Sequence, residues 1–199
     1  MPSWSLFPLL HAFVFFLTAV LARLLMVRLR TGATPLALGD PESARGFTAL
    51  CFYVWLPLAD AVFVLSYAIG GEAGPALWSD RLLVEASRWT GVGLLATALV
   101  WVTLAQAAMG KDWKMGIADG GTGRLHTEGP FAWSRHPVYA GIRLTMLGQL
   151  LVIGSWPMLG LWTVSELLVR LQARFEEEAM AERHGARYRE YCARVRRWL

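Results

Sequence analysis

The chain has 199 residues, 55% of them hydrophobic and 17% charged, and a mean hydropathy of +0.40. This profile excludes an ordinary soluble domain and fits a single integral membrane domain. The net charge is +4, but the basic residues lie beside apolar segments, so the expected partner of that charge is an anionic bilayer surface and not nucleic acid.

Residues 6–27 form the first apolar run, long enough to cross about 30 Å of hydrocarbon. It reads as a span and not a cleaved leader, because Met1 to Ser5 carries no positive charge. Arg23, near its end, is expected to snorkel to the interface. A polar link with Arg28, Arg30 and Arg45 follows. Residues 49–69 are the second span, with Pro57 expected to kink it. Asp60 lies inside that span, which makes it a functional candidate; the favoured expectation is that it bonds a neighbouring helix or faces a polar cavity for structural reasons. Residues 89–108 are the third span, where Gly91 and Gly93 suit close helix packing or equally serve as lipid-facing filler. A long loop with Gly120, Gly121 and Gly123 leads to residue 136; it contains no phosphate-loop motif.

Residues 138–153 and 158–171 are two short apolar arms around Gly154-Ser155-Trp156-Pro157, and they read as a helical hairpin. Arg143 and Glu166 lie one in each arm, where they pair or face the protein interior. Residues 172–194 are strongly charged and are expected to form a tail helix lying on the membrane surface. The fold class is therefore all-α: a polytopic membrane protein of about five spans with a C-terminal hairpin and an amphipathic tail. The first loop, the third loop and the tail hold most of the 19 basic residues. That asymmetry places the N-terminus outside and the C-terminus in the cytoplasm.

Two polar clusters interrupt the apolar pattern. The first runs from Gly129 through Arg135, His136, Pro137 and Tyr139 to Gly141. Pro137 is pre-set for a first helical turn, with Ser134 as a candidate cap. Arg135 and His136 then stand at a helix mouth, which favours an anion. The second cluster holds Glu176, Glu177 and Glu178, then His184-Gly185, Tyr188 and Tyr191. On one continuous helix, Glu177, His184, Tyr188 and Tyr191 share a face. Both clusters are expected on the same side of the membrane, because the hairpin leaves and returns to it. Cys51 and Cys192 form no CxxC pair, and no His/Cys/Asp group has zinc-ligand spacing, so no metal is expected.

The run Gly129-Pro130-Phe131 with Arg135-His136-Pro137-Val138-Tyr139-Ala140-Gly141, followed by Glu176-Glu177, His184-Gly185, Tyr188, Tyr191, Val195 and Arg197-Trp198, resembles the isoprenylcysteine carboxyl methyltransferase family. The related phospholipid methyltransferases share much of it. The resemblance covers the C-terminal third of the chain. It implies a membrane-embedded methyltransferase that uses S-adenosylmethionine and releases S-adenosylhomocysteine. It further implies a cofactor pocket of Gly129, His136, Pro137, Tyr139, Glu176 and Glu177, with Arg135 and Glu177 as the catalytic pair. The acceptor is then a lipophilic small molecule or prenylated substrate entering from the bilayer, first of all an isoprenylcysteine-type carboxylate. Phospholipid or other lipid N- or O-methylation is the alternative. A sterol-type reductase using NADPH and a non-catalytic subunit are the rivals from other classes. The chain departs from the family pattern at Phe131, at His184, where phenylalanine is usual, and at Arg196.

Overall fold

The computed structural model describes residues 3–70, 76–116 and 124–198. The glycines at 120, 121 and 123 lie outside the described residues. Among the described residues, six helices carry the fold. Helix α1 spans Leu6–Thr31, α2 Ala44–Ile69, α3 Arg81–Met109, α4 Pro137–Ile153, α5 Trp156–His184 and α6 Ala186–Arg194. Among the described residues, α1, α2 and α3 are long and apolar enough to cross a membrane, and α4 is a shorter apolar helix. The protein is thus an all-α polytopic membrane protein.

The first three helices outrun their apolar cores, because backbone hydrogen bonding does not stop where side chains turn polar. Helix α1 continues through Arg28 and Arg30 until Gly32, at φ +71°, closes it. Helix α2 starts at Ala44, where the Ser43 hydroxyl accepts from the Gly46 N–H at 3.0 Å. Asp80 caps α3 in the same way through Leu83, at 3.0 Å. Pro57 does disturb α2: it lacks the N–H that would bond the Tyr53 carbonyl, and one wide π turn, Cys51–Trp55, precedes it.

Arg23 does not snorkel. It is 8% exposed and donates to the carbonyls of Gln106 and Gly110, the latter at 2.8 Å. Those carbonyls belong to the end of α3, where the helix has no partners of its own for them.

Helices α3 and α4 pack most extensively, and glycine sets their separation. A Cβ on Gly91 would lie 2.6 Å from the Gly148 carbonyl oxygen, and one on Gly141 would overlap Val102. Gly93 faces open space, so only Gly91 of the expected pair serves the contact. Phe52, Val64 and Tyr67 of α2 meet Met146 and Leu150 of α4 and Met158 and Val169 of α5 in the core. Arg143 and Glu166 pair across the hairpin at 2.8 Å.

The hairpin turns at Gly154, at φ +64°, as expected, but its second arm does not end at 171. Nothing between Met158 and His184 breaks a helix, so α5 runs on through the charged segment. The chain turns instead at Gly185, at φ +53°, and α6 starts afresh. The separate tail helix over 172–194 is therefore not formed.

The connections sort to two ends of the bundle. At one end, β1 Leu36–Ala37 pairs in parallel with β2 Met115–Gly116, and Arg45 lies 3.4 Å from Glu178. At the other, Leu77 donates to the Gly154 carbonyl at 2.7 Å, and Trp4 packs edge-on against Trp89. The first loop, the third loop and the polar half of α5 thus share one end.

Candidate active site

A short strap and the C-terminal residues build the site. Gly129, at φ +61°, opens a single 3₁₀ turn over Gly129–Ala132, and the chain then reaches His136 through a turn and a bend. Its polar groups are pinned to the last turn of the chain. Arg135 N–H donates to the Arg196 carbonyl at 2.9 Å, and the Ser134 hydroxyl to that of Arg197 at 3.0 Å. The Tyr191 hydroxyl donates to the Phe131 carbonyl at 2.6 Å. Ser134 is thus committed to the tail, and it accepts from the His136 N–H at 3.2 Å without capping α4. Helix α4 does start at Pro137.

The side chains meet on Glu177. Arg135 places Nε 3.2 Å and Nη2 3.0 Å from Oε1. Arg197 holds both oxygens, with Nε 2.9 Å from Oε1 and Nη2 2.6 Å from Oε2. His136 Nε2 lies 3.2 Å from Oε1. Burial alone would raise the Glu177 pKa, but the hydrogen bonds from His136 and Arg197 and the charges beside it outweigh burial. Its carboxyl is held well below the usual carboxylate range.

His136 links this carboxylate to the next. Its Nδ1 lies 3.5 Å from Glu176 Oε2, so a ring nitrogen faces each glutamate. Burial lowers the His136 pKa, yet the bonds to Glu176 and Glu177 more than offset that and leave it raised. The imidazolium, with an N–H on each side, fits both contacts. Tyr139 donates its hydroxyl to Glu176 and stacks on the His136 ring at 5.6 Å. Tyr53 stands 2.8 Å from the Tyr139 oxygen. Because the Tyr139 hydrogen goes to Glu176, Tyr53 donates to Tyr139.

Trp198 roofs the cluster. Its ring lies 5.9 Å from that of His136 and 4.6 Å from the Arg143 guanidinium carbon.

Below the cluster a cavity of about 620 Å³ runs between α1, α2, α3 and α4. Arg135, His136, Tyr139, Glu176 and Lys114 are among its polar lining, and Leu56, Val64, Val102 and Met146 belong to its apolar walls. A charged cluster at a mostly apolar cavity of this size suits a lipophilic molecule with one polar end.

The structure therefore brings together Arg135, His136, Tyr139, Glu176 and Glu177, with Pro137 lining the same cavity. Gly129 stands apart, nearest Ala108. His184 is not in the cluster, and Tyr188 and Tyr191 belong to α6, because the turn at Gly185 divides the face they were expected to share with Glu177. Sequence reasoning missed Arg197 and Trp198 as site residues, although both end the motif quoted above. It also missed Tyr53, a phenol within an apolar span that carries no local signal.

The phospholipid methyltransferase family model matches residues 86–187, just over half of the chain. The chain belongs to the phospholipid methyltransferase family. The match takes in most of α3, the strap, α4, α5 and the turn at Gly185. No match was found among curated proteins. Phospholipid methyltransferases are membrane enzymes that act on lipid-type substrates and generally use S-adenosylmethionine. This protein is accordingly a membrane methyltransferase with a lipid-type substrate.

Proposed function

We propose that the protein transfers methyl from S-adenosylmethionine to a lipid acceptor held in the cavity, first of all the carboxylate of an isoprenylcysteine-like molecule. The observation that carries this reading is the position of Glu176. It lines the same cavity as Lys114, and its contacts with Tyr139 and His136 leave acceptor capacity to spare. A carboxylate with a free edge and an ammonium lining one cavity suit a cofactor with a cationic and an anionic end, so the residues present fit the group.

Glu176 would accept from the cofactor's ammonium or ribose hydroxyls, and Lys114 would meet its carboxylate. When bound, S-adenosylmethionine supplies a methyl group on a sulfonium, and the carbon–sulfur electron pair stays with sulfur as the methyl leaves. Arg135 uses its donors on Glu177 and on the Cys192 and Val195 carbonyls, so we assign it and Glu177 to positioning the strap and His136. The apolar walls exclude water and hold the acceptor's tail. A carboxylate acceptor loses no proton, so positioning and desolvation supply most of the catalysis. An amine acceptor, the alternative, must lose a proton, and Glu176 is a base on the cavity wall.

We further propose five crossings with the cluster on the cytoplasmic side, supported by the basic residues at that end.

The test is calorimetric titration of the protein in nanodiscs with S-adenosylhomocysteine and, separately, NADPH. Saturable binding of the first, weakened at least tenfold by Glu176→Gln, is the expected result. Binding of NADPH alone would overturn the reading in favour of a reductase. Methyl transfer to N-acetyl-S-farnesylcysteine or to phosphatidylethanolamine then separates the two acceptors.

A further inference from the structure

The cavity has a second polar region, away from the charged cluster. Thr145 and Gln149 are one turn apart on α4, and both line the cavity with Asp60 of α2. Gln149 Nε2 donates to Asp60 Oδ2 at 3.1 Å. Three polar atoms beside that bond have no partner: Asp60 Oδ1, Gln149 Oε1 and the Thr145 hydroxyl. Thr145 is 8% exposed and Gln149 1%.

The Thr145 hydroxyl is the telling one. A helical threonine normally bonds the carbonyl four residues back. Thr18, Thr31, Thr48, Thr90, Thr97, Thr103 and Thr163 all do so, each at 2.8 Å. Thr145 does not. Buried polar atoms without partners are costly, and three around one cavity wall call for a ligand group. Two carbonyl-type oxygens need a donor, and a free hydroxyl offers one hydrogen. A hydroxyl donates to one of the two, Asp60 or Gln149, and accepts from Thr145, so it partners two of the three atoms. An ammonium cannot accept from Thr145, and a plain hydrocarbon satisfies none of the three.

Position gives the length. Tyr139 and Gln149 lie ten residues apart on α4, which is about 15 Å along the helix. We propose that the cavity binds a lipid bearing a hydroxyl about 10–15 Å from its reacting end, held by Asp60, Thr145 and Gln149. This deepens the methyltransferase reading and rests on it for the identity of the reacting end.

The probes are N-acetyl-S-farnesylcysteine and its analogue hydroxylated on the middle isoprene unit of the farnesyl chain, titrated into the protein in nanodiscs. The hydroxylated probe should bind five- to tenfold more tightly. Thr145→Val keeps the side chain's shape, and it should reduce that preference to twofold or less without weakening the plain probe. Asp60→Asn is the second variant, and it should also reduce the preference. Equal affinity of both probes for the unaltered protein, or failure of both to bind, overturns the proposal. A preference in wild type that survives both substitutions overturns it too. S-adenosylhomocysteine is titrated in parallel. A Thr145-dependent preference in protein that does not bind it upholds the hydroxyl site and overturns the methyltransferase reading. Binding of it without any preference does the reverse.

Discussion

Arg197 clasps Glu177 with two parallel contacts, Nε to Oε1 at 2.9 Å and Nη2 to Oε2 at 2.6 Å. Glu177 in turn meets Arg135 and His136, so one carboxylate ties the strap, α5 and the chain's last turn together. Glu177→Gln leaves two guanidinium groups and the His136 ring without their anion. Arg135 and Glu177 are only 14% and 15% exposed, so the loss should approach the range for a broken buried pair, about 3 kcal/mol. Thermal unfolding in nanodiscs measures it. Arg189→Ala, on an exposed position of α6, should change stability by less than about 0.5 kcal/mol. Equal effects would show that the cluster does not tie the tail.

The same cluster sets a pH dependence. The raised pKa of His136 means its contribution is complete below the unfolded value of about 6.5 and is lost as pH rises through the folded value. The depressed pKa of Glu177 works the other way. Its contribution is complete above the ordinary carboxylate value of about 4.3 and is lost as pH falls. The cluster should therefore stabilise most between about pH 4.5 and 6.5 and weaken toward alkaline pH. Unfolding temperatures across pH 5–9 check this. His136→Gln should flatten the decline above pH 6.5.

Much of this site was legible because its residue types announce themselves. Arginine, histidine and paired glutamates beside apolar segments are conspicuous, and a hairpin between them returns the chain to its starting side. What was not legible is where backbone geometry ignores polarity. Hydropathy changes near 171, but helical hydrogen bonding does not, so α5 carries Glu176 and Glu177 onward from the apolar arm. The break falls at Gly185 instead, so Tyr188 and Tyr191 stand on a different helix from Glu177, although Tyr188 still feels its charge and Tyr191 bonds the strap. Arg197 was hidden for another reason. In a tail rich in arginine, only folding shows which one points inward.

The two glycines of α3 make a contrast that sequence alone does not. Gly91→Ala should force α3 from α4, since its Cβ would meet the Gly148 carbonyl and Val152. The expected loss is about 1–3 kcal/mol, as for overpacking. Gly93→Ala meets nothing within 4 Å and gains helix propensity of up to about 1 kcal/mol. The two variants should shift the unfolding temperature in opposite directions. Shifts of the same sign and size would show that α3 and α4 are not in close contact there.

His184 closes α5 with a buried Nε2 that has no hydrogen-bond partner. A buried unpaired nitrogen costs about 1–3 kcal/mol. His184→Phe removes it and adds apolar surface, so the variant should be more stable by about 1 kcal/mol. Unfolding temperatures of both proteins decide it. A variant no more stable than wild type would show that Nε2 finds a partner, such as water, in solution.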